Sequence, residues 1–319
     1  MRTTSRKKPN PKKTNERPKT LPVTHTFIVK RSDELLNFLL ARFEGKLSRN
    51  SVKKLLSDRK VLINGSMTTQ FNYPLAKDDE VKIAKNPVRT APVRKNAPQA
   101  AVPSIKPYII YEDDEFLAIN KPAGLLSVES DKDPNCAYAM AAAYLKQKDA
   151  RSRPYILHRI DKETSGVLIF AKDIRIHSML RMHWNEDITL REYYAVIQGE
   201  MEEPSGQIVS FLKENANHLV YVSKDPRGKK AVTNYEVEKS NDRYSLLKIN
   251  IETGRKNQIR VQLNAQNHPI LGDDKYGLVP SPINRLCLHA SALEFIHPVT
   301  KKPMRFYAPV PNEFRQLVK

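Results

Sequence analysis

Between two apolar runs, Tyr155 to Leu157 and Val167 to Ala171, the chain places the polar segment His158-Arg159-Ile160-Asp161-Lys162-Glu163-Thr164-Ser165-Gly166. Short runs rich in β-branched and aromatic residues, bounded by Thr, Ser and Gly, read as buried strands, so the segment is a turn between two rigid flanks. A carboxylate at Asp161 is then held by rigid flanks on both sides and can still face a cleft. The segment taken alone also admits a plainer reading. In that reading Asp161 and the Thr-Ser-Gly run satisfy the N–H groups of a turn, and His158 is a core histidine.

Size and charge narrow the classes. A chain of 319 residues with 40% hydrophobic content is long enough for a sizeable core and for two domains. Its 54 Lys and Arg against 35 Asp and Glu give a formal charge of +19, which points to a polyanionic partner, nucleic acid first. An acidic membrane surface is the rival, but no apolar stretch of about 18 residues and no basic amphipathic helix with aromatic anchors is present, so membrane insertion is not expected. Cys136 and Cys287 lie far apart, with no CxxC and no His at ligand spacing. Neither a disulfide framework nor a zinc site is expected, and a reducing cytoplasm suits such a chain. The basic N-terminus has no apolar stretch behind it and does not read as a secretory signal. A P-loop and a dinucleotide fingerprint are lacking too, so no metal and no cofactor is expected.

Composition divides the chain into four stretches. Residues 1–22 carry Arg2, Arg6, Lys7, Lys8, Lys12, Lys13, Arg17 and Lys19 against the single acid Glu16, and are expected to be a disordered basic arm. Its role is either non-specific RNA attraction or solubility. Residues 23–84 form a compact pattern. Ser32 is the expected cap of a helix carrying Leu35, Leu36, Leu39, Leu40 and Phe43, and Ser48 caps a second whose Val52, Leu55 and Leu56 face inward. A strand from Lys60 to Ile63 runs into an Asn64-Gly65 hairpin turn, and Val81 to Ile83 close the pattern. Residues 85–107 hold Pro87, Pro92, Pro98, Pro103 and Pro107 and read as an extended connector. Residues 108–319 show strands at Phe116 to Ile119, Val167 to Phe170, Tyr193 to Ile197 and Ser245 to Ile251, with helices expected at Ala137 to Lys146, Ile174 to Trp184 and Gln258 to Gln266. Strands and helices out of strict alternation indicate an α+β fold with a mainly antiparallel sheet.

His158-Arg159-Ile160-Asp161 with Thr164-Ser165-Gly166-Val167-Leu168-Ile169-Phe170-Ala171-Lys172 closely resembles the catalytic motif of the RluA-type pseudouridine synthases, which usually have Leu where Ile160 stands. Three further segments resemble motifs of the same family: Asn120-Lys121-Pro122-Ala123-Gly124, Arg191-Glu192-Tyr193-Tyr194-Ala195-Val196-Ile197-Gln198-Gly199, and Thr253-Gly254-Arg255-Lys256-Asn257-Gln258-Ile259-Arg260-Val261. The stretches His268 to Gly277 and Leu286 to Ala290 complete the likeness, and their histidines read as structural. The resemblance implies the pseudouridine synthase fold and an RNA uridine isomerase whose essential aspartate is Asp161. It implies Tyr193 as the aromatic that packs on the target base, although a strand Tyr without the motif is more often core. Arg260 maps onto the arginine that pairs with the aspartate, a partner the chemistry wants because a carboxylate taken out of water needs a charge to stay ionised. Leu288 is expected to line the uracil pocket, and Arg159, Lys121 and Arg255 to touch RNA; for Lys121 a plain turn is the equal alternative. The chain departs from the pattern at Asn257, where the family commonly has His.

The first domain, with its Ser48-Arg49 helix, Val61-Leu62-Ile63-Asn64-Gly65 hairpin and Asp78-Asp79-Glu80-Val81 series, is similar to the small α/β S4 RNA-binding domain. That likeness implies Arg49, Lys53, Lys54, Arg59 and Lys60 as phosphate contacts; the alternative is a solvated helix face. The pairing of the two domains tilts the expected partner toward large-subunit ribosomal RNA, with transfer RNA as runner-up and no obligate protein partner. The implied reaction breaks the N1–C1′ bond of a uridine, turns the uracil and rejoins it through C5, with Asp161 as nucleophile at C1′ or base at C2′. The nucleotide must leave its stack, and Arg159 is expected to fill the space behind it. Three other classes compete. A non-catalytic S4 protein has no need of the Asp161, Tyr193 and Arg260 set. An S4-linked methyltransferase needs a glycine-rich turn that is missing, and a hydrolase using Ser165 with His158 lacks the G-x-S-x-G elbow.

Overall fold

The computed structural model describes residues 23–43, 46–88, 102–130, 133 and 135–319, which fall into two compact units, Met1–Ala100 and Ala101–Lys319. The expected basic arm at 1–22 and the connector residues 89–101 lie outside the described residues.

The first unit runs β1 (Val23–Ile28), β2 (Asp33–Glu34), α1 (Leu35–Arg42), α2 (Arg49–Ser57), β3 (Val61–Ile63), β4 (Ser66–Thr68), β5 (Pro74–Leu75) and β6 (Glu80–Ala84). Four strands form an antiparallel sheet in the order β1-β6-β3-β4, and β2 pairs with β5. The i, i+4 apolar pattern of α1 buries Leu35, Leu36 and Leu39 against Val52 and Leu56 of α2 and against Val61 and Val81 of the sheet. Asn64 and Gly65 have φ of 50° and 81°, the left-handed pair that a two-residue hairpin turn requires. The Asn64 side chain also donates to Asp79 Oδ1 and accepts from the Glu80 N–H, so it joins the hairpin to β6. Ser48 caps α2 as expected, its Oγ accepting from the Ser51 N–H at 3.1 Å. Ser32 does not cap α1. Glu34 precedes that helix without a side-chain bond, and carbonyls of Tyr73 and Phe71 accept from the N–H groups of Leu35 and Leu36. A neighbouring loop thus satisfies the orphan donors that a cap would otherwise take.

The second unit opens with a 3-10 turn at Lys106–Tyr108 and continues through β7 (Ile109–Glu112), β8 (Phe116–Lys121), α3 (Ala137–Lys148), β9 (Tyr155–Ile156), β10 (Ser165–Ala171), α4 (Ile174–Met182), α5 (Trp184–Asp187) and β11 (Ile188–Gln198). It then runs through β12 (Ser205–Glu214), β13 (Val220–Ser223), β14 (Lys229–Ser240), β15 (Tyr244–Ile251), α6 (Gln258–Ala265), β16 (Leu288–Ile296), β17 (Pro303–Tyr307) and α7 (Asn312–Leu317). An eleven-stranded sheet carries the order β13-β12-β14-β15-β11-β16-β10-β8-β7, with β17 on β16 and β9 on β10. The sheet is mixed but mainly antiparallel, as expected. The helix expected at Ile174 to Trp184 is two helices, because His183, at φ −114° and ψ 22°, leaves helical geometry before Trp184 starts the short α5.

All seven residues of β10 are buried. Alternation sends Val167, Ile169 and Ala171 into a cluster with Ile176, Leu180 and Phe295, and Leu168 and Phe170 into another with Met140, Ala141 and Leu145. A strand covered on both faces reads as a continuous apolar run, which is why this one is so plain in the sequence. Its entry is the one parallel pairing among the described strands, Ser165 opposite His289 and Gly166 opposite Ala290. There Gly166 has φ +114°, and a Cβ on it would stand 2.0 Å from the Ala290 carbonyl oxygen. Only glycine permits that approach.

Candidate active site

The polar turn between β9 and β10 is fastened on both sides of Asp161. Ser127 Oγ donates to the Ile160 carbonyl at 2.7 Å and accepts from the Ile160 N–H at 3.3 Å. The Lys162 carbonyl accepts from the Gly124 N–H at 2.9 Å and from Lys121 Nζ at 3.0 Å. Within the turn the Thr164 N–H donates to the Asp161 carbonyl at 3.2 Å. The Asn120 to Gly124 segment therefore acts as a brace for the turn.

Lys121 corrects an expectation. Its side chain is fully buried, and Nζ donates to the carbonyls of Pro122, Leu125 and Lys162, so it has no face left for RNA. Burial pulls its pKa down to about 7, against the pull of Glu163 and Asp161. Three carbonyls match the three hydrogens of the ammonium, which is the form this geometry completes.

The Asp161 side chain, 31% exposed, lies on a cleft of about 390 Å³ lined also by Arg159, Tyr193, Arg255, Arg260 and Leu288. All five were expected at a site, and they come from the polar turn, β11, the loop before α6, α6 and β16. Arg260 Nη1 stands 3.9 Å from Asp161 Oδ2. Its stronger partner is Asp273, which the sequence reading did not single out: Arg260 Nε donates to Oδ2 at 2.8 Å and Nη2 to Oδ1 at 2.7 Å. Asp273 is 1% exposed and also accepts from the N–H groups of Lys275 and Tyr276, so a closed turn sets the guanidinium before Asp161 meets it. Burial weighs against the charge on Arg260, but Asp273, with Asp161 and Asp274, raises its pKa.

Burial pushes the Asp161 carboxyl up from the ordinary aspartate range, opposed first by Arg260 and then by Arg159, Lys275 and Lys121. Tyr193 is pushed up to about 12 by burial and by Asp161, so its phenol is neutral at physiological pH and offers a ring and a hydroxyl, not a base. Asn257 starts α6 in a left-handed conformation, and its Nδ2 donates to the Tyr276 hydroxyl at 3.0 Å, a structural use of the position where the pattern departs.

His158 and His289 are engaged within the fold. His158 Nε2 accepts from the Ile169 N–H at 3.2 Å and its ring stacks on Trp184, while burial, with Arg191 nearby, lowers its pKa to about 4. His289 lies between Ser165 Oγ at 2.8 Å and the Ala308 carbonyl at 3.2 Å. Ser165 is therefore engaged with His289 and not with His158, and at 4% exposure it is no nucleophile for a hydrolase. In the first unit Arg49, Lys53, Lys54 and Arg59 are exposed and Lys60 is half-buried, with Lys53 Nζ 4.5 Å above the Phe71 ring. Among the described residues no helix is long and apolar enough to cross a membrane.

A family model described as RNA pseudouridylate synthase matches residues 115–265. The uncharacterized RNA pseudouridine synthase YjbO of Bacillus subtilis is 34% identical over 212 residues, 66% of this chain and 75% of its own. An uncharacterized RNA pseudouridine synthase of Mycoplasma genitalium is 30% identical over 301 residues, covering 91% of this chain and 92% of its own. Ribosomal large subunit pseudouridine synthase D of Haemophilus influenzae is 34% identical over 225 residues, 66% and 69% of the two chains. Among solved structures, Human RNA Pseudouridylate Synthase Domain Containing 4 aligns with a TM-score of 0.56 at 22% identity, over 66% of this chain and 91% of that one, a likeness of fold.

Proposed function

The chain belongs to the RNA pseudouridine synthases, isomerases of the RluA type, and on that premise we propose that it modifies uridines of large-subunit ribosomal RNA with Asp161 as its catalytic carboxylate. The observation that carries the assignment is the Asp161 side chain, on a cleft of about 390 Å³, facing an arginine that a second, buried aspartate already holds. In this reading Asp161 attacks C1′ or takes the proton at C2′ as the N1–C1′ bond breaks, the uracil turns within the cleft, C5 bonds to C1′ as the Asp161 ester breaks or the proton returns to C2′, and the proton lost from C5 is matched by one gained at N1. Tyr193 packs on the base, Leu288 closes the apolar wall, and Arg260 keeps Asp161 ionised against the pull of burial. The everted nucleotide costs about a few kcal/mol to unstack, and Arg159, exposed at the rim, fills the gap it leaves while Arg255 binds the strand. The first unit serves as an S4-like RNA-binding domain through Arg49, Lys53, Lys54, Arg59 and Lys60.

The ribosomal target rests on relatives named as large-subunit enzymes. To test it, purified protein is incubated with ribosomal and transfer RNA lacking pseudouridine, and the products are mapped for wild type and Asp161→Ala. Conversion in 23S-type RNA by wild type alone supports the reading. Conversion confined to transfer RNA would move the target, and binding without conversion by either protein would leave only a non-catalytic module. If Arg159→Ala processed structured and unstructured substrates in the wild-type ratio, its gap-filling role would be lost.

A further inference from the structure

A second cavity, of about 260 Å³, opens beside the Asp161 cleft and shares with it a wall of Arg159, Tyr193, Ile251, Gly254 and Arg255. Its apolar side comes from Val167 and from β16, where Ala290 and Ala292 line it and leave the space a larger side chain would take. Trp184, the one Trp of the chain, lines it, stacked on His158 with ring centroids 5.7 Å apart and planes 22° from parallel.

The charge around this hollow is one-sided. Arg159, Arg191 and Arg255 all line it, and among the described residues no Asp or Glu does. Arg191 lies so close to Gly254 that a Cβ there would stand 3.0 Å from its guanidinium, and burial, with Arg255 nearby, weighs against its charge. Three guanidiniums with no acid among them, around an apolar and aromatic hollow, are the parts that recognise a nucleobase and its phosphodiester. The volume lies below the ~300–1,000 Å³ of ordinary ligand pockets, which limits the occupant to one ring system.

We propose that this cavity binds the base of a nucleotide adjacent to the target uridine, stacked beside Trp184, with the intervening phosphate held by Arg191 and Arg255. The inference rests on reading the Asp161 cleft as the uridine site. It gives the enzyme a grip on two successive bases, so discrimination between RNA sequences depends on the neighbour as well as on the uridine.

Trp184 is its own reporter. The full chain is titrated with dye-labelled pentauridylate and with a pentamer whose single central uridine is flanked by abasic residues, following anisotropy for binding and tryptophan emission for stacking. Pentauridylate is expected to quench the emission saturably. The abasic-flanked pentamer is expected to bind about 5- to 150-fold more weakly, the loss for one stacked base, and to leave the emission unchanged when bound. Arg191→Gln, checked for an unchanged melting curve, is expected to flatten the dependence of log affinity on log salt by about 0.7, the share of one phosphate contact on a single strand. Absent binding of pentauridylate, emission unmoved at saturation, equal affinity for the two pentamers, or an unchanged salt slope would each overturn the pocket. If quenching occurred but wild type converted no uridine in ribosomal or transfer RNA, the reading of the Asp161 cleft would fall and the nucleobase pocket would stand.

Discussion

On α2, Arg49, Lys53 and Lys54 are exposed residues, while in the second unit Asp161, Arg260 and Asp273 bring three charges together where water is scarce. The first group is built for numbers. In the proposed RNA-binding role each exposed cation is screened and would add a small, salt-dependent share to the attraction of a phosphate chain. In the second group, each charge is set by the next: two backbone N–H groups hold Asp273, Asp273 holds Arg260, and Arg260 faces Asp161. Removing Asp273 leaves Arg260 unbalanced in a medium that does not forgive it. Substitutions in the two regions should therefore differ in kind.

The largest effect is expected at Asp161. Asp161→Asn should lower the rate of uridine conversion on the order of 10⁴-fold or more in a single-turnover assay. The same change should stabilise the fold. Because burial raises the folded-state pKa of Asp161 above its unfolded value, the native state binds the proton more tightly, and stability falls as pH rises through that window. The neutral amide escapes this cost, so its melting temperature at pH 7 should exceed that of wild type; a drop would contradict the strained-carboxylate picture.

Next comes Asp273→Asn, which strips Arg260 of its bidentate partner and should cost about 3–5 kcal/mol in urea unfolding. A loss under 1 kcal/mol would show that the buried group is less interdependent than its geometry suggests. Close behind, Gly166→Ala drives a Cβ to 2.0 Å from the Ala290 carbonyl at a positive φ, with an expected loss of about 3 kcal/mol or more.

The pH dependence sharpens the comparison. Conversion should fall as pH drops through the raised pKa of Asp161, and Arg260→Gln should shift that inflection to higher pH, because the first opposing cation is gone. An inflection that does not move would separate the arginine from the carboxylate it faces. The smallest effect belongs to α2: Lys53→Gln should weaken RNA binding only a few-fold at moderate salt, with the salt slope reduced by about 0.7–0.9 and the fold unaltered.

Much of the fold was legible from local pattern. The apolar run of β10, the periodic leucines of α1 and the Asn64-Gly65 turn each carry their signal within a few residues. Strands such as β12 and β14 were less so, since partly exposed strands with Lys and Glu among their residues lack a plain apolar run. At the site, Asp161, Tyr193, Arg260 and Leu288 were readable from motif words, and the cleft brings them together. The role of Asp273 was not readable, because it depends on a turn that brings residue 273 back onto the side chain of residue 260. Nor was Lys121, since a lysine after a strand reads as surface until three carbonyls are seen to enclose it.

By itself, then, the sequence determined what could be written as local chemistry: which runs are buried, where the turns fall, that the partner is a polyanion, and which acid lies between two rigid strands. Tertiary structure alone decided which charges meet. The parallel step at Gly166, the Asp273 clasp on Arg260 and the hollow left by two alanines on β16 join residues far apart in the chain. The physical reason is that a charge or a cavity takes its energy from what surrounds it in space, and no local run of residues specifies that surrounding.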